Sequence, residues 1–332
     1  MKLALAGCYG HCNAMIASAL ACADVDVVAV ARYGADDSLK IRHVPGVDLD
    51  ALAIYNDWRT MLDEVQPDIV GAFMPFSQNA AVSLEAARRG CHIVGEKPLA
   101  TTLKDLAALR QAVTDAGVQV AAFLPMRGSP AYQAAYGIVQ AGRIGQPILA
   151  TAQKSYPFKS RDEFFKTRRS YGGSIPWVAI HAIDYVHYCT GLDFVRVAAM
   201  QSNRAHPTHP GCEDNGGILL EMTGGSHAVI TFDYLRPWAD GVQRRHGDDR
   251  LRIAGSDGIV EVTAEGGEVR LMTPETVETV ELPPAADLFG RFVDTILGRG
   301  EPLITTADSL RMTEVALLAR LAADERRIVE LL

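Results

Sequence analysis

Directly after a short apolar run, Lys2 to Ala6, the chain reads Gly7-Cys8-Tyr9-Gly10-His11-Cys12 and continues as a helical stretch to about Ala23. Glycines at such a turn let the backbone approach a pyrophosphate, and the following helix N-terminus offers N–H donors and positive dipole. The spacing is Gly-x-x-Gly rather than GxGxxG. Alone, a glycine-bearing turn after a strand is commonly just a turn; its place at the first strand of an alternating series gives it weight. The next strand ends in Arg32-Tyr33, where an acidic residue would bind the ribose 2′-OH of NAD. The fork and fixed charge of arginine suit a 2′-phosphate instead, so NADP is favoured over NAD. Tyr33 can lie against the adenine, and Asp36 and Asp37 would serve an NAD ribose if the loop folds back. An ordinary surface arginine is the competing account of Arg32.

Other chemistry-bearing residues are scattered. Lys97, in Glu96-Lys97-Pro98, sits at the C-terminal end of a strand, where open α/β sheets bind ligands. His181 and Asp184, three apart on a helix, share a face; on residue types alone His181 reads as a core histidine. His187, six residues on, points elsewhere. Arg168 and Arg169 can reach a substrate or form a solvated basic turn, and Lys154 and Tyr156 at a strand end are candidate pocket residues. His206, His209 and Cys212 have zinc-ligand types at short spacing. Glu213 or Asp214 would have to complete that set, so an edge loop without metal is expected.

Positioning these groups requires a scaffold. Val25 to Ala31 is β-branched and apolar, as a buried parallel strand is. Further strands fall at Ala51 to Tyr55, Asp68 to Phe73, Cys91 to Val94 and Val118 to Leu124. Between them lie helices: Asp57 to Val65 with an Asp cap, Ser77 to Arg89 stopped by Gly90, and Leu103 to Ala116 between Thr102 and Gly117. This alternation predicts an α/β fold, a Rossmann-type doubly wound parallel sheet over 1–124. After Pro125 the pattern changes. Helices are expected at Pro130 to Ala141, Val178 to Cys189, Ala286 to Leu297 and Thr306 to Arg320, with a strand at Ile148 to Ser155. Longer strands with glycine-rich turns run from Val195 to Val280. Residues 125–332 are therefore an α+β domain with a large, mostly antiparallel sheet.

Bulk properties exclude several classes. The 332 residues suffice for two domains and a core without covalent staples. A net charge of −8 argues against nucleic acid or an anionic membrane surface as partner. Six cysteines without a CxxC pair predict reduced thiols and a cytoplasmic protein. Leu5-Ala6-Gly7-Cys8 fits a lipoprotein cleavage pattern, but the apolar run before it is far shorter than the roughly 7–15 residues of a signal peptide, so export is not expected. No apolar run reaches about 18 residues, so no membrane span is expected.

Taken in order, seven further stretches carry a family pattern: Met74-Pro75 at a strand end; Ala86 to Val94 as A-x-x-x-G-x-H-V; Arg127 and Pro130 as R-x-x-P; Gly142 to Pro147 as G-x-I-G-x-P; Gly172-Gly173 ahead of His181; Glu213-Asp214 followed by Gly224-Gly225; and Gly255 to Gly258 as a hairpin. With Glu96-Lys97-Pro98 and His181-Ala182-Ile183-Asp184, they make the chain resemble the Gfo/Idh/MocA family (glucose–fructose oxidoreductase, inositol dehydrogenase and MocA) over nearly its whole length.

The resemblance implies an NAD(P)-dependent dehydrogenase or reductase working between a nicotinamide and a secondary alcohol or ketone of a sugar, cyclitol or glycoside. It implies that Lys97 touches the substrate oxygen and that His181 is the acid/base. Those types suit the chemistry: a histidine titrates near neutral pH, and an ammonium stabilises a developing alkoxide. Asp184 then orients the imidazole or binds a substrate hydroxyl. Gly7, Tyr9, Gly10, His11, Cys12, Arg32, Tyr33, Met74, Pro75, Asn79, Glu96 and Lys97 are implied cofactor residues. Lys97, Arg127, Tyr156, Arg168, Trp177, His181 and Asp184 are implied substrate residues. Two positions depart from the family pattern: Trp177 replaces an Asp four residues before His181, and Asn79 replaces a His. Trp177 can stack on a sugar face. The departure keeps open a second function, cofactor-cycling glycoside cleavage without net redox change. A third, a dinucleotide- or sugar-binding regulator, has no need of Lys97 and His181. Association into a dimer or tetramer through the open face of the second sheet is also implied.

Overall fold

β1 (Lys2–Ala6) is buried at every position after Lys2, as a strand covered on both faces must be. It pairs in parallel with β2 (Asp26–Ala31), which pairs with β3 (Ala53–Tyr55). On its other side come β4 (Ile69–Ala72), β5 (His92–Gly95) and β6 (Val120–Ala122), giving the order β3-β2-β1-β4-β5-β6. The order reverses between β1 and β4, the switch point at which such sheets bind ligands. The computed structural model describes residues 1–34, 40–238, 248–263 and 267–331; Asp36 and Asp37 lie outside the described residues.

Four helices join these strands: α1 (Cys12–Ala21), α2 (Trp58–Val65), α3 (Asn79–Arg88) and α4 (Leu103–Ala116). Their ends follow local chemistry. Asp57 accepts from Arg59 N at 2.9 Å, Thr102 Oγ1 accepts from Asp105 N at 3.1 Å, and Gly117 closes α4 at φ 66°. α3 starts two residues later than the sequence predicts. Phe76–Gln78 forms a 3-10 turn after Pro75, and Asn79 Oδ1 folds back to accept from Met74 N at 2.8 Å.

Beyond Leu124 the sheet is built differently. It contains β7 (Pro147–Ser155), β8 (Phe194–Ser202), β9 (Asn215–Met222), β10 (His227–Asp233), β11 (Arg250–Gly255), β12 (Ile259–Thr263), β13 (Glu268–Met272), β14 (Val277–Thr279) and β15 (Val329–Glu330), in the order β14-β13-β12-β11-β7-β10-β9-β8-β15. All neighbours are antiparallel except β7 and β10. In β10, Ala228, Ile230 and Phe232 are buried while His227, Val229 and Thr231 are exposed, the period of two of a half-covered sheet. The covered face meets α5 (Pro130–Gln140) and α7 (Ile180–Thr190); Arg168–Tyr171 forms the single-turn α6. The opposite face presents Leu149, Met200, Leu219 and Val229 to solvent.

Two helices follow, α8 (Leu288–Ile296) and α9 (Thr306–Glu325). The chain divides into two compact units, and the first recruits later sequence: it comprises Met1–Phe123, Arg169–Gly172 and Asp287–Thr313, and the second holds the rest. Within the first unit α8 lies against α1. The start of α9 covers the sheet edge, where Val120 N donates to Thr306 Oγ1 at 3.0 Å and Ala122 N to Ser309 Oγ at 3.0 Å. Thr313 Oγ1 accepts from Leu99 N at 3.4 Å.

Candidate active site

In the first unit the turn after β1 is set by close approach. Gly7 adopts φ 72°, and a Cβ there would stand 2.6 Å from Phe73 O. Gly10 adopts φ 61°, and its Cβ would stand 2.1 Å from Glu96 Oε2. At Gly7 the clash is with backbone and no larger residue fits; at Gly10 a side chain would be strained by φ and would displace the Glu96 carboxylate. Tyr9 N donates to Phe73 O at 2.8 Å, and its ring meets Phe76 and Tyr33 edge-on, with centroids 5.7 and 6.3 Å away. Cys12, buried, begins α1, whose N-terminus has no side-chain cap and no acidic residue in its first turn. An uncapped positive helix end behind two tight glycines at the switch point fits a dinucleotide pyrophosphate. Arg32 and Tyr33, both half-buried, follow β2, with Arg32 N donating to Tyr55 O at 2.9 Å. Met74 and Pro75 are buried at the end of β4.

The next strand end brings Glu96 and Lys97, both buried, with a cis peptide joining Lys97 to Pro98. The Glu96 carboxylate accepts from His11 N at 2.5 Å and meets His11 Nδ1 at 3.0 Å, with Lys97 Nζ 4.0 Å away. Burial alone would push this carboxyl up. The charge and hydrogen bonds of His11, with the Lys97 ammonium, outweigh it and hold Glu96 below its ordinary value. A carboxyl whose folded value is depressed contributes stability above its ordinary range and loses it on acidification. Glu96→Gln is therefore expected to lower the urea midpoint at pH 7 and to narrow the gap to wild type as pH falls below about 4. A gap that stays constant with pH would remove this role.

In the second unit, α7 is preceded by a π-helical turn, Ile175–Ala179, which carries Pro176 and Trp177. The sequence predicts an ordinary helix from Val178; the helical path begins earlier, with Pro176 in the first turn, where its missing N–H has no intrahelical acceptor to lose, and Ile180 N reaches back to Ile175 O. Such turns are rare and cluster at functional sites. Trp177, His181 and Asp184 are all buried. Asp184 Oδ1 accepts from Arg127 Nε at 2.9 Å and Nη2 at 2.8 Å, a buried pair that the sequence did not anticipate. Arg127 also lies 5.1 Å over the Tyr188 ring. Lys154 is buried on Asp249, with Nζ 2.5 Å from Oδ2, and stands 4.8 Å from the ring of half-buried Tyr156. Burial outweighs Asp249 and holds the Lys154 ammonium below its ordinary value.

Arg168, about a third exposed, pairs with Glu213 and, at 3.3 Å, with Asp324. His206 Nδ1 meets Asp214 at 3.2 Å and its ring stacks on Phe158 at 3.7 Å; His209 Nε2 meets Arg161 O at 3.3 Å. Among the described residues no group of three or more His, Cys, Asp or Glu side chains is placed to hold a metal ion. His187 Nδ1 meets Leu192 O at 2.9 Å.

Known proteins match this organisation. Residues 1–123 match the oxidoreductase family, NAD-binding Rossmann fold, and residues 132–261 match the GFO/IDH/MocA C-terminal domain. A Thermotoga maritima structure designated an oxidoreductase is 34% identical with a TM-score of 0.92, over 99% of this chain and 100% of its own. D-apiose dehydrogenase of Paraburkholderia graminis is 26% identical over 93% of this chain and 84% of its own. The scyllo-inositol 2-dehydrogenase (NAD(+)) of Bacillus subtilis is 23% identical over 78% of this chain and 76% of its own. With both halves matched in order, the chain belongs to the GFO/IDH/MocA family of NAD-binding oxidoreductases.

Proposed function

We propose that this enzyme oxidises a secondary alcohol of a sugar or cyclitol, or reduces the corresponding ketone, with Lys97 and His181 as its catalytic groups. The observation that carries the reading is Lys97, buried beside Glu96 at the end of β5 and tied through His11 to the dinucleotide turn. A bound nicotinamide supplies the hydride acceptor. Lys97 holds the substrate oxygen and stabilises the negative charge that grows there. His181 takes the hydroxyl proton. Gly7, Gly10 and the start of α1 hold the pyrophosphate, with Tyr9, Tyr33, Met74, Pro75 and Asn79 around the remainder. Trp177, Tyr156 and Arg127 are the substrate residues in this reading, Arg127 acting with Asp184. The dehydrogenases of D-apiose and scyllo-inositol among the relatives support the substrate class.

Arg32 favours NADP over NAD. Arg32→Asp is expected to shift the ratio of kcat/KM for NADP over NAD toward NAD by at least about tenfold, some 1.4 kcal/mol; an unchanged ratio makes Arg32 a surface residue. The exposed Leu149, Met200, Leu219 and Val229 support a homo-oligomer formed through the open sheet face, and six free thiols support a cytoplasmic location. The deciding experiment titrates the protein with NADPH and NADH by fluorescence, then follows cofactor absorbance with sugars, inositols and glycosides. Substrate-dependent reduction supports the dehydrogenase. Glycoside cleavage with no net cofactor change replaces it with the cofactor-cycling reading, which the loss of the family Asp at Trp177 favours.

A further inference from the structure

We propose that Lys154 and Asp249 form a subsite for two neighbouring hydroxyls of the substrate, the lysine donating to one and the carboxylate accepting from the other. This rests on the polyol reading above. The pairing starts in the sheet: Gln153 of β7 lies opposite Arg250 of β11, so Lys154 falls opposite Asp249. Both side chains turn to the covered face and are buried, with 2% and 9% of their residue surface exposed. A buried ion pair is poor value as a stabiliser, because apolar residues of similar volume do as well. This one is also incomplete. Asp249 Oδ1 is buried and accepts no hydrogen bond among the described residues, whereas Oδ2 takes the lysine. A buried acceptor left open calls for an explanation. An ammonium has three donors, so Lys154 can serve Asp249 and a second oxygen together.

The pair lies at the right end of the sheet. Tyr185 Oη donates to Gln153 O at 2.7 Å, and His181 precedes Tyr185 by one turn of α7, on the same face. The head of that helix is held by Glu213, whose Oε2 accepts from Ser174 N at 3.0 Å. Tyr234 N donates to Asp214 O at 2.8 Å, and Asn215 pairs with Asp233 at the C-terminal end of β10. β10 and β7 run in parallel with Asp233 beside Ser155. The helix therefore runs from the C-terminal end of β7 inward, which puts His181 on the Lys154 and Tyr156 side of Tyr185.

The test is calorimetric binding of myo-inositol, D-glucose and D-xylose, with their monodeoxy analogues, to NADPH-loaded protein, read alongside turnover. Two variants are compared with wild type: Asp249→Asn, and the double variant Lys154→Met/Asp249→Leu, which leaves no orphan charge. Both are expected to bind the best polyol about tenfold or more weakly. For the monodeoxy analogue lacking the hydroxyl that Asp249 accepts from, the Asp249→Asn penalty is expected to vanish and that of the double variant to shrink, while NADPH affinity stays unchanged. An equal penalty for parent and deoxy analogue, or wild-type polyol affinity in both variants, overturns the subsite and leaves the dehydrogenase standing. Polyol binding that depends on the pair, without turnover by wild type, keeps the subsite and overturns the dehydrogenase. Wild type that binds no polyol overturns both.

Discussion

Lys97→Met is expected to lower kcat by about 10²–10³-fold, the loss that follows removal of one preorganised donor to a developing oxyanion. Methionine keeps the length and apolar stem of the lysine, which is 1% exposed, so packing changes little. The carboxylate beside it retains His11 as a partner, with the ring nitrogen at 3.0 Å. NADPH affinity is therefore expected to change little while turnover collapses. Steady-state kinetics at saturating cofactor, with a fluorescence titration of the same preparation, separate the two. His181→Asn is expected to cost about 10²–10⁴-fold, as loss of a positioned general base does. Near-wild-type turnover of Lys97→Met would end the proposed chemistry.

Asp184→Ala is expected to cost about 3–5 kcal/mol of stability, the penalty for stripping one member from a buried pair. Arg127, 3% exposed, would keep its charge and lose both hydrogen bonds to Oδ1. Arg127→Met/Asp184→Leu removes both charges and is expected to recover most of that loss. Denaturant midpoints of the three proteins test this. An Asp184→Ala protein as stable as wild type, yet defective in polyol binding, would instead assign Asp184 to the substrate directly.

What the sequence discloses here is what is local. β1, β2 and β4 are legible because a doubly covered strand needs an unbroken apolar run, and Lys97 because its tripeptide closes a strand. Asp57, Thr102 and Gly117 mark helix ends within a few residues of where they act. The polar pairs of the candidate site are a different matter. His11 and Glu96 are 85 residues apart, Arg127 and Asp184 are 57 apart, and Lys154 and Asp249 are 95 apart. Each pair depends on strand register or helix docking, which no local pattern encodes. Asp184 illustrates the consequence: its spacing from His181 gives them a common face, but only the fold brings the Arg127 fork to it. The π-helical turn is hidden for another reason, since Ile175 to Ile180 has the composition of any buried helix and a proline in a first turn is equally at home in a regular one.

The hydroxyls of Thr306 and Ser309 against β6 bear on how the protein is made. During synthesis, residues 1–123 leave the ribosome long before residue 306 does, yet the Val120 and Ala122 N–H groups find their acceptors only on that late helix. Until then the nascent sheet ends in an unmasked strand, a template for pairing with other chains. A polypeptide terminated at residue 124 would stay in that condition permanently. It should aggregate on expression, and supplying 287–332 in trans should restore solubility if α9 is the missing cover.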